Sequence, residues 1–359
     1  MRLISLAALL MTSHALHAGV TYTITDLGTL GGTASFGQAI NSLGDIAGYS
    51  KKNGDAANQA FVWSNGLMTG LKSLGGANSY GTDINTAGTV VGYSFLKDNV
   101  NMRGVVWSGA TATQLGTLGG TNSAAFGINA SGQVTGYANP TGNPGTHAVL
   151  WNTDGTKTDL GTLGGANSAG LGINDAGWIT GYAWTQNNAE TRAFRWTQSG
   201  GMVDLLTLGG DDSAGYGINS SGQVAGFAQT TPGSSVQHAV LWTGSTITDL
   251  LTLGGSSSTA HGINGAGAVV GSSDILDGTQ HAFLWSNGVL SDLNSLLANG
   301  TGWTLTEARD INDAGQVTGY GTLNGEVRGF LLTPAETPET ATLWLVTASI
   351  AGLMLRRRQ

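Results

Sequence analysis

Short runs of alternating apolar and polar residues, separated by turns that contain Gly or Asn, follow one another along most of the chain. In the segment 79–118 the runs cover residues 79–85, 89–94, 103–107 and 112–118. Alternation over a few residues indicates a half-buried β-strand, and small turns between such runs are typical of antiparallel neighbours. This segment is therefore predicted to form a four-stranded antiparallel meander.

The same pattern recurs with a period of 44 to 48 residues. Its marker is an Ile-Asn pair that opens a glycine-containing turn, with the asparagine at Asn41, Asn85, Asn129, Asn174, Asn219, Asn264 and Asn312. The period is too long for a helical heptad or for a solenoid coil of about 20–29 residues, but it fits one blade of a propeller. We predict an all-β, seven-bladed β-propeller over residues 19–332, with each asparagine as a turn residue.

The two ends of the repeat region complement each other. A pattern ending in Leu-Gly-Gly occurs first in residues 21–32, before any complete repeat, while residues 328–332 form a third strand that no fourth strand follows. The N-terminal strand is therefore predicted to complete the last blade, which would remove an exposed sheet edge. A β-solenoid is the alternative architecture, but it gives no reason for the complementary ends.

Two residue types predict how the blades pack. A tryptophan occupies one slot in six repeats and is predicted to fill the space between blades, since an aromatic side chain buries a large area: Trp63, Trp107, Trp151, Trp196, Trp242 and Trp285. The first strand of each blade is rich in small residues, as in residues 169–172. We expect these glycines where the inner strands converge on the axis and larger side chains would collide.

The composition excludes several classes of function. Gly is abundant (59 residues) without a collagen period, only 10% of residues are charged, and the net charge is −8. An acidic chain is repelled by nucleic acid and by anionic membrane surfaces. There is no cysteine, so disulfides and thiol chemistry are excluded, and no cofactor motif is present.

Both termini predict export. Residues 1–18 carry Arg2, an apolar run and small residues at Ala15 and Ala18, which is typical of a secretory signal peptide; an ordinary N-terminal helix is the alternative. At the other end, a linker (333–340) precedes a hydrophobic tail with a basic stop (341–359). The apolar part of that tail is short for a permanent span, which needs about 20 residues, and its arginines would stay on the cytoplasmic side.

The linker ends in a short motif, Pro338-Glu339-Thr340, directly before the hydrophobic tail. Motif, tail and basic stop together resemble the PEP-CTERM sorting signal of Gram-negative bacteria, although Thr340 stands where that signal has proline. The resemblance implies an exosortase-type membrane protease as a partner during sorting and only transient anchoring in the membrane. A permanent C-terminal anchor is the alternative.

Three motifs recur in order along residues 21–332, and together they resemble the HAF-repeat family of bacterial extracellular proteins. They are represented by His281 to Trp285, Asp159 to Gly165 and Gly217 to Asn219. Two repeats depart from the usual triplet, at residues 103–105 and 328–330. The resemblance implies export and a repeat architecture, but no catalytic centre, so no catalytic residue is assigned.

Two sets of repeated residues are candidate ligand contacts. A serine closes each loop between blades, where short hydroxyls near a channel mouth would suit sugar hydroxyls; the alternative is that they bond local backbone. The set is Ser35, Ser79, Ser123, Ser168, Ser213 and Ser258. The slot that begins the third strand is mostly cationic or titratable, as expected of a ring that binds uronates or sulfates; the alternative is a hydrogen bond to the neighbouring blade. This set is Gln59, Arg103, His147, Arg192, His238, His281 and Arg328.

A metal site among these histidines is not expected, because side chains one blade apart are too distant to share an ion. Four residues break the small-residue pattern of the inner strands: Tyr216, His261, Glu307 and Arg309. Glu307 with Asp310 would be a candidate pair of carboxylates for glycoside hydrolysis. The pair is excluded, because residues three apart on a strand point to opposite faces.

We therefore predict an exported, non-catalytic propeller at the cell surface or in the extracellular matrix, which binds exopolysaccharide or another surface component. The alternatives are a structural matrix scaffold without a specific pocket, and a polysaccharide hydrolase or lyase with its site at the channel mouth. Several weak equivalent sites would give avidity.

Overall fold

The computed structural model describes residues 20–142 and 144–335. The predicted signal peptide (1–18), sorting motif (338–340) and hydrophobic tail (341–359) lie outside the described residues. The described residues form seven separate four-stranded antiparallel sheets, arranged as the blades of a ring. The all-β, seven-bladed propeller predicted from the repeat is confirmed.

The strands are numbered in chain order, and each blade has its first strand innermost. Blade 1 contains β2 (Gly31–Ile40), β3 (Ile46–Lys52), β4 (Asn58–Ser64) and β5 (Leu67–Gly70). Blade 2 contains β6 (Ser79–Ile84), β7 (Val90–Phe95), β8 (Met102–Ser108) and β9 (Thr111–Gln114). Blade 3 contains β10 (Gly119–Ile128), β11 (Val134–Pro140), β12 (His147–Trp151) and β13 (Lys157–Gly161). Blade 4 contains β14 (Gly164–Ile173), β15 (Ile179–Thr185), β16 (Thr191–Thr197) and β17 (Gly201–Asp204).

Blade 5 contains β18 (Ser213–Ile218), β19 (Val224–Gln229), β20 (Gln237–Thr243) and β21 (Thr246–Asp249). Blade 6 contains β22 (Gly254–Ile263), β23 (Val269–Ile275), β24 (Gln280–Ser286) and β25 (Val289–Asp292). Blade 7 contains β26 (Trp303–Ile311), β27 (Val317–Leu323) and β28 (Glu326–Pro334), with β1 (Tyr22–Asp26) as its outer strand. Short 3-10 turns lie at Asn53–Asp55, Gln186–Asn188 and Leu293–Leu296.

The N-terminal strand closes the ring, as predicted. β1 pairs with β28 in antiparallel register from Tyr22↔Pro334 to Asp26↔Phe330. Its other edge is covered by the expanded junction after blade 6, where Asn299 Oδ1 accepts the Ile24 N–H at 2.8 Å. Both edges of β1 are thus occupied. The extra residues in the longest repeat, between Asn264 and Asn312, cover the edge of this outer strand that would otherwise be exposed.

The hydrophobic core is divided into seven clusters, and each cluster contains residues of two adjacent blades. The repeated tryptophan lies in these clusters; Trp107, 1% exposed, packs with residues of blade 1 and donates its indole N–H to the Lys72 carbonyl at 2.7 Å. In blade 7 the slot holds Leu332, which is fully buried. The predicted role of the tryptophans as fillers between blades is confirmed.

The inner-strand glycines have a different neighbour from the one expected. A Cβ at Gly170 would clash with the Thr135 hydroxyl of the preceding blade, and a Cβ at Gly215 would clash with Thr180 in the same way. The axis itself accommodates large side chains, including Phe126. The expectation that small residues prevent collisions on the axis was therefore wrong; they allow adjacent blades to approach.

Candidate functional site

The two ends of the central channel differ, and the asparagine turns define the lower end. In each turn the side-chain oxygen binds backbone N–H groups, as Asn174 Oδ1 does with Ala176 and Trp178 at 3.1 and 3.0 Å. The third residue after each asparagine is a glycine with positive φ, for example Gly177 at +75°. The predicted turn role is confirmed.

The asparagines also form a closed ring that the sequence did not predict. Each Nδ2 donates to the carbonyl of the equivalent asparagine in the next blade, over 2.9 to 3.2 Å, and the last bond runs from Asn312 back to Asn41. All seven residues are buried. A carboxamide supplies the acceptor for the turn and the donor for the neighbour on two separate atoms, whereas an ionised aspartate has no donor and a serine hydroxyl would have to serve both from one shorter side chain.

Three residues before each asparagine, the inner strands direct one side chain towards the axis. Unlike the asparagines, these seven axial residues are all different: Gln38, Thr82, Phe126, Leu171, Tyr216, His261 and Arg309. A bulge at this point, such as the register shift between Gly170 and Gly172, interrupts the regular alternation. The repeat therefore fixes where each axial side chain lies, but it does not fix which residue type occupies that position.

The axial residues divide the channel into two cavities. The upper cavity, about 360 Å³, opens towards the loops that join second to third strands and is lined further by Tyr49, Tyr80 and Tyr93. The lower cavity, about 170 Å³, lies towards the asparagine ring and is lined further by Asp83 and Asp310. One cavity is thus largely aromatic and the other acidic.

The aromatic wall continues beyond the axis as a chain of ring contacts across blades 7, 1, 2 and 3. Within blades 1 and 2 the rings stack, as Tyr80 does on Tyr93 with centroids 4.8 Å apart, while the pair in blade 3 is tilted. Between blades the rings meet edge to face, as Tyr49 and Tyr80 do at 4.9 Å. We call this set the aromatic arc: Tyr320, Phe36, Tyr49, Tyr80, Tyr93, Phe126 and Tyr137. Every member is half-buried, so ring surface remains accessible.

A third cavity, of about 290 Å³, borders the arc between blades 2 and 3. It shares Tyr80, Tyr93 and Phe126 with the upper cavity and adds Phe95 and Met102. The two cavities therefore form one aromatic groove that runs from the axis outwards. A groove of this shape accepts an extended ligand better than a compact one.

Next to the end of the arc at Tyr320, blades 6 and 7 carry a charged group that we call the Glu307 cluster: His261, Glu307, Arg309 and Tyr320. Glu307 Oε1 lies 2.8 Å from His261 Nε2 and 2.9 Å from Arg309 Nε, and Oε2 accepts the Tyr320 hydroxyl. The Glu307 side chain is only 9% exposed. His261 Nδ1 is buried and finds no hydrogen-bond partner among the described residues.

These contacts determine the charges in the cluster. Burial alone would raise the pKa of Glu307, but the hydrogen bond and charge of His261, the charge of Arg309 and the Tyr320 hydroxyl together lower it to about 2. Burial lowers the pKa of His261 despite the opposing hydrogen bond from Glu307. The cluster therefore holds an ionised carboxylate, a neutral imidazole and a guanidinium, which sum to no net charge at neutral pH.

Asp83 and Asp310 belong to the lower cavity and stabilise contacts between blades. Asp83 accepts the N–H of Ile128 in blade 3 at 2.8 Å, and Asp310 accepts that of Ile40 in blade 1 at 2.9 Å. Burial raises the pKa of each carboxyl to about 7, and for Asp83 the nearby charge of Asp310 adds to the effect. Both groups are thus partly ionised at neutral pH.

The serines predicted to bind sugar do not reach the channel mouth. Each hydroxyl accepts a backbone N–H from the third strand of the preceding blade, as Ser168 does from Ala148 at 2.8 Å. The side chains are at most 3% exposed. This prediction is therefore corrected in favour of the backbone-bonding alternative, and it applies to Ser35, Ser79, Ser123, Ser168, Ser213 and Ser258.

The predicted ring of cationic and titratable residues lines neither axial cavity, and most of its members are paired with acids of their own blade. The three histidines contact aspartates of the fourth strand, as His281 Nδ1 does with Asp292 at 2.7 Å. The pairs are His147–Asp159, His238–Asp249, His281–Asp292, Arg192–Glu190 and Arg328–Glu326. Pairing leaves little positive charge for an anionic polymer.

The remaining two members of that ring bond to backbone. Arg103 donates to the Thr121 carbonyl of the next blade, and Gln59 donates to the Leu71 carbonyl at 3.0 Å. Arg328 also reaches the next blade, at the Thr33 carbonyl, over 2.7 Å. The alternative of bonds to the neighbouring blade thus describes the arginines of blades 2 and 7, while the histidines bond within their blade.

The four residues that break the inner-strand pattern do meet at the channel. His261, Glu307 and Arg309 belong to the Glu307 cluster, and Tyr216 packs against His261 with ring centroids 5.2 Å apart. The exclusion of Glu307 and Asp310 assumed regular alternation, but register shifts in β26 interrupt it between these residues. Alternation therefore does not exclude this pair of carboxylates. However, both Asp310 oxygens already accept backbone N–H groups.

The sequence analysis missed the aromatic arc. Its signal was present: a Gly-Tyr pair recurs in second strands, as at Tyr49, Tyr93, Tyr137 and Tyr320. What the sequence did not show is that Phe36 and Tyr80 on inner strands join these rings into one surface. Among the described residues, no group of three or more His, Asp or Glu side chains is arranged to hold a metal ion.

Comparison with known proteins supports the fold alone. No family model matches the sequence, and no curated protein matches it. The β-propeller domain of the Trilobed protease from Pyrococcus furiosus is similar in structure, with 11% identity, a TM-score of 0.51, and coverage of 71% of this chain and 82% of that chain. TolB from Acinetobacter baumannii has 13% identity, a TM-score of 0.47, and coverage of 82% and 64%. The Aleuria aurantia lectin has 14% identity, a TM-score of 0.39, and coverage of 74% and 96%.

Fold, ring closure and structural similarity together define the class of this protein as a seven-bladed β-propeller with a two-part axial channel. Within the described ranges, no helix is long and apolar enough to cross a membrane. The chemistry of the channel, rather than the fold, has to carry any argument about function, because propellers host many activities.

Proposed function

We propose that the protein is an exported, non-catalytic module that binds exopolysaccharide in the aromatic groove formed by the upper cavity and the aromatic arc. The observation that carries this proposal is the uninterrupted sequence of ring contacts from Tyr320 to Tyr137. It rests also on the predicted signal peptide and sorting motif, which would direct the propeller out of the cytoplasm.

Aromatic faces suit the geometry of a sugar chain. A pyranose presents an apolar C–H face, and the electron-rich face of a tyrosine or phenylalanine ring attracts such hydrogens while removing apolar area from water. Successive rings along the groove would stack successive sugars. Because the arc is half-buried and its rings support each other, little side-chain entropy is lost on binding.

Polar groups beside the rings would orient the hydroxyls of the sugar. Gln38 and Thr82 line the upper cavity together with Tyr49 and Tyr93. A largely apolar wall with a few convergent polar groups is the usual composition of a small-molecule site. The groove therefore offers both the stacking surface and the hydrogen-bonding groups that carbohydrate recognition requires.

The test is calorimetric binding of the purified protein to a panel of neutral, amino-bearing and acidic polysaccharides, with wild type compared to Tyr80→Ala and Tyr93→Ala. Each variant removes one stacked ring, so affinity is expected to fall about tenfold or more. Tyr182→Ala is the matched control, since Tyr182 occupies the same slot in blade 4 and lines neither axial cavity. Saturable binding that none of the arc variants weakens would overturn the proposal.

A second set of variants tests whether the polymer binds in the groove or at the ring of cationic and titratable residues that begin the third strands. Replacement of His147, His238 and His281 by alanine removes three aspartate pairs but no groove residue. We expect unchanged affinity for the polymer that the wild type binds. A loss of affinity in a folded triple variant would move the site to the ring.

The absence of catalysis is part of the proposal and is tested on the same samples. Polymer length, followed by size-exclusion chromatography during prolonged incubation, is expected to stay constant. Shortened chains would instead favour the hydrolase or lyase alternative. No binding to any polymer would leave the structural scaffold as the function to pursue.

A further inference from the structure

The charged side chains that line the axial channel are mainly acidic. The peripheral arginines and histidines had instead predicted a positively charged binding site. Among the described residues lining the two axial cavities, Arg309 supplies the only fixed positive charge, and Glu307 neutralises it at 2.9 Å. Asp83 and Asp310 then remain in the lower cavity without any cationic partner among the described residues.

The upper cavity above these carboxylates has the composition of a cation site. Tyr49, Tyr80, Tyr93, Phe126 and Tyr216 line it on several sides. An ammonium group close to aromatic faces is attracted by the ring quadrupoles, and the attraction grows when the group is removed from water. Here the carboxylates below would add a Coulombic attraction in the same direction.

We propose that the axial channel selects a saccharide that carries free amino groups, with one ammonium group held among the aromatic side chains of the upper cavity and above Asp83 and Asp310. This inference rests on the proposed carbohydrate-binding function and names the chemical class of its ligand. A uronate would meet the two aspartates and gain only the already paired Arg309, so acidic polymers are disfavoured.

His261 does not oppose this selection. Its Nε2–H donates to Glu307 at 2.8 Å, and burial favours the neutral imidazole, so no second positive charge faces the ligand. On the same side, Tyr320 donates its hydroxyl to Glu307, and Arg309 forms an ion pair with Glu307, although its Nε makes no hydrogen bond with good geometry. Arg309 borders the upper cavity, but Glu307 offsets its charge, so the aromatic rings and the two aspartates below determine the net attraction for a cation.

The test uses three β-1,4-linked tetrasaccharides that differ only at carbon 2 of each sugar: glucosamine, N-acetylglucosamine and glucose. They present an ammonium, an acetamide and a hydroxyl group at the same position. At pH 7, where part of the amines are protonated and Asp83 and Asp310 are partly ionised, the glucosamine tetramer is expected to bind about tenfold tighter than the other two, and this advantage is expected to shrink with added salt.

Two variants separate the contributions. Asp83→Ala places in blade 2 the residue that blade 1 carries at the equivalent Ala39, and it is expected to reduce the preference for the amine severalfold while the glucose tetramer binds as before. Tyr93→Ala is expected to weaken all three ligands, because it removes stacking area. Circular dichroism and the thermal midpoint confirm that each variant is folded.

The outcomes are distinguishable. Equal or tighter binding of the acetylated or glucose tetramer by the wild type overturns the selection of amino groups but leaves carbohydrate binding intact. An amine preference that Asp83→Ala leaves unchanged removes the lower cavity from the explanation and overturns the proposed arrangement. Failure of all three tetramers and of the polysaccharide panel overturns the proposed function and this inference together.

Discussion

The asparagine ring and the axial residues lie three residues apart on the same seven strands, yet they follow opposite rules. All seven asparagines are identical and buried, and each makes the same bond to the next blade. The seven axial residues are all different. Positions that hold blades together carry the same residue, because every interface between blades needs the same hydrogen bond. Positions that face the shared axis are released from that requirement, and their variety coincides with the ligand site that we propose.

The channel itself is divided by the same principle. Blades 1 to 3 contribute most of the aromatic arc, while blades 6 and 7 contribute the Glu307 cluster, and Tyr320 of blade 7 belongs to both. Blades 4 and 5 place Ala169 and Ala214 where blades 1 and 2 have Phe36 and Tyr80. One repeated scaffold thus carries two chemically distinct walls.

The largest effect is expected from breaking the ring. Asn174→Ala removes the bond to the Asn219 carbonyl at 2.9 Å and leaves the Ala176 and Trp178 N–H groups without their acceptor. Unsatisfied buried polar groups cost about 1–3 kcal/mol each, so the free energy of unfolding is expected to fall by about 3 kcal/mol in urea denaturation. Leu171→Ala, on the same strand, is the control, with about 1 kcal/mol. Equal losses in the two variants would contradict the division between ring and axis.

The second prediction concerns the pH dependence of the Glu307 cluster. Because the pKa of Glu307 is lowered from 4.5 to about 2, its stabilisation is complete above pH 4.5 and is lost as the pH falls towards 2. The free energy of unfolding is expected to drop by about 2 kcal/mol more in the wild type than in Glu307→Gln over this window. Denaturation at several acidic pH values measures the difference; parallel curves would refute the assignment.

The third prediction has the opposite sign. The pKa values of Asp83 and Asp310 are raised from 3.8 to about 7, so their protonated forms favour the folded state. Their contribution is complete below pH 3.8 and is lost as the pH rises through 7. Between pH 5 and 8 the free energy of unfolding is expected to decline by about 1 kcal/mol more in the wild type than in Asp83→Ala. A flat wild-type profile in this range would show that the carboxyls ionise normally.

The smallest effect is expected at a repeat position that does not line the axial cavities and that holds different residues in different blades. Leu206 adopts φ +67° and is 60% exposed, whereas the equivalent residue in blade 3 is Gly161 at +73°. Both N–H groups bind the preceding aspartate side chain. Leu206→Gly is expected to stabilise the protein by about 0.5–1 kcal/mol, the left-handed strain minus the entropy of glycine. The thermal midpoint should rise slightly, and a fall would show that Leu206 makes a favourable contact.

Much of the fold was predictable because it depends on local and periodic signals. The Ile-Asn marker gave the number of blades, the complementary ends gave the closure by β1, and the tryptophan slot gave the packing between blades. The candidate site was predictable only in part. Tyr216, His261, Glu307 and Arg309 stood out as exceptions to the repeat, but the repeated serines and histidines, which seemed equally suited to a ligand, bond to their own scaffold.

By itself, the sequence determined the blade, its sevenfold repetition and the residues that deviate from it, since turns and strand alternation are set by neighbours along the chain. Only the tertiary structure decided which side chains face the axis, because a bulge in each inner strand overrides the alternation at that point. It also decided which charges remain unpaired. His147 and Asp159, 12 residues apart, contact each other within blade 3, whereas Asp83 of blade 2 and Asp310 of blade 7 line one acidic cavity. The proximity of Asp83 and Asp310 depends on closure of the ring, which brings residues more than 200 positions apart to the same cavity.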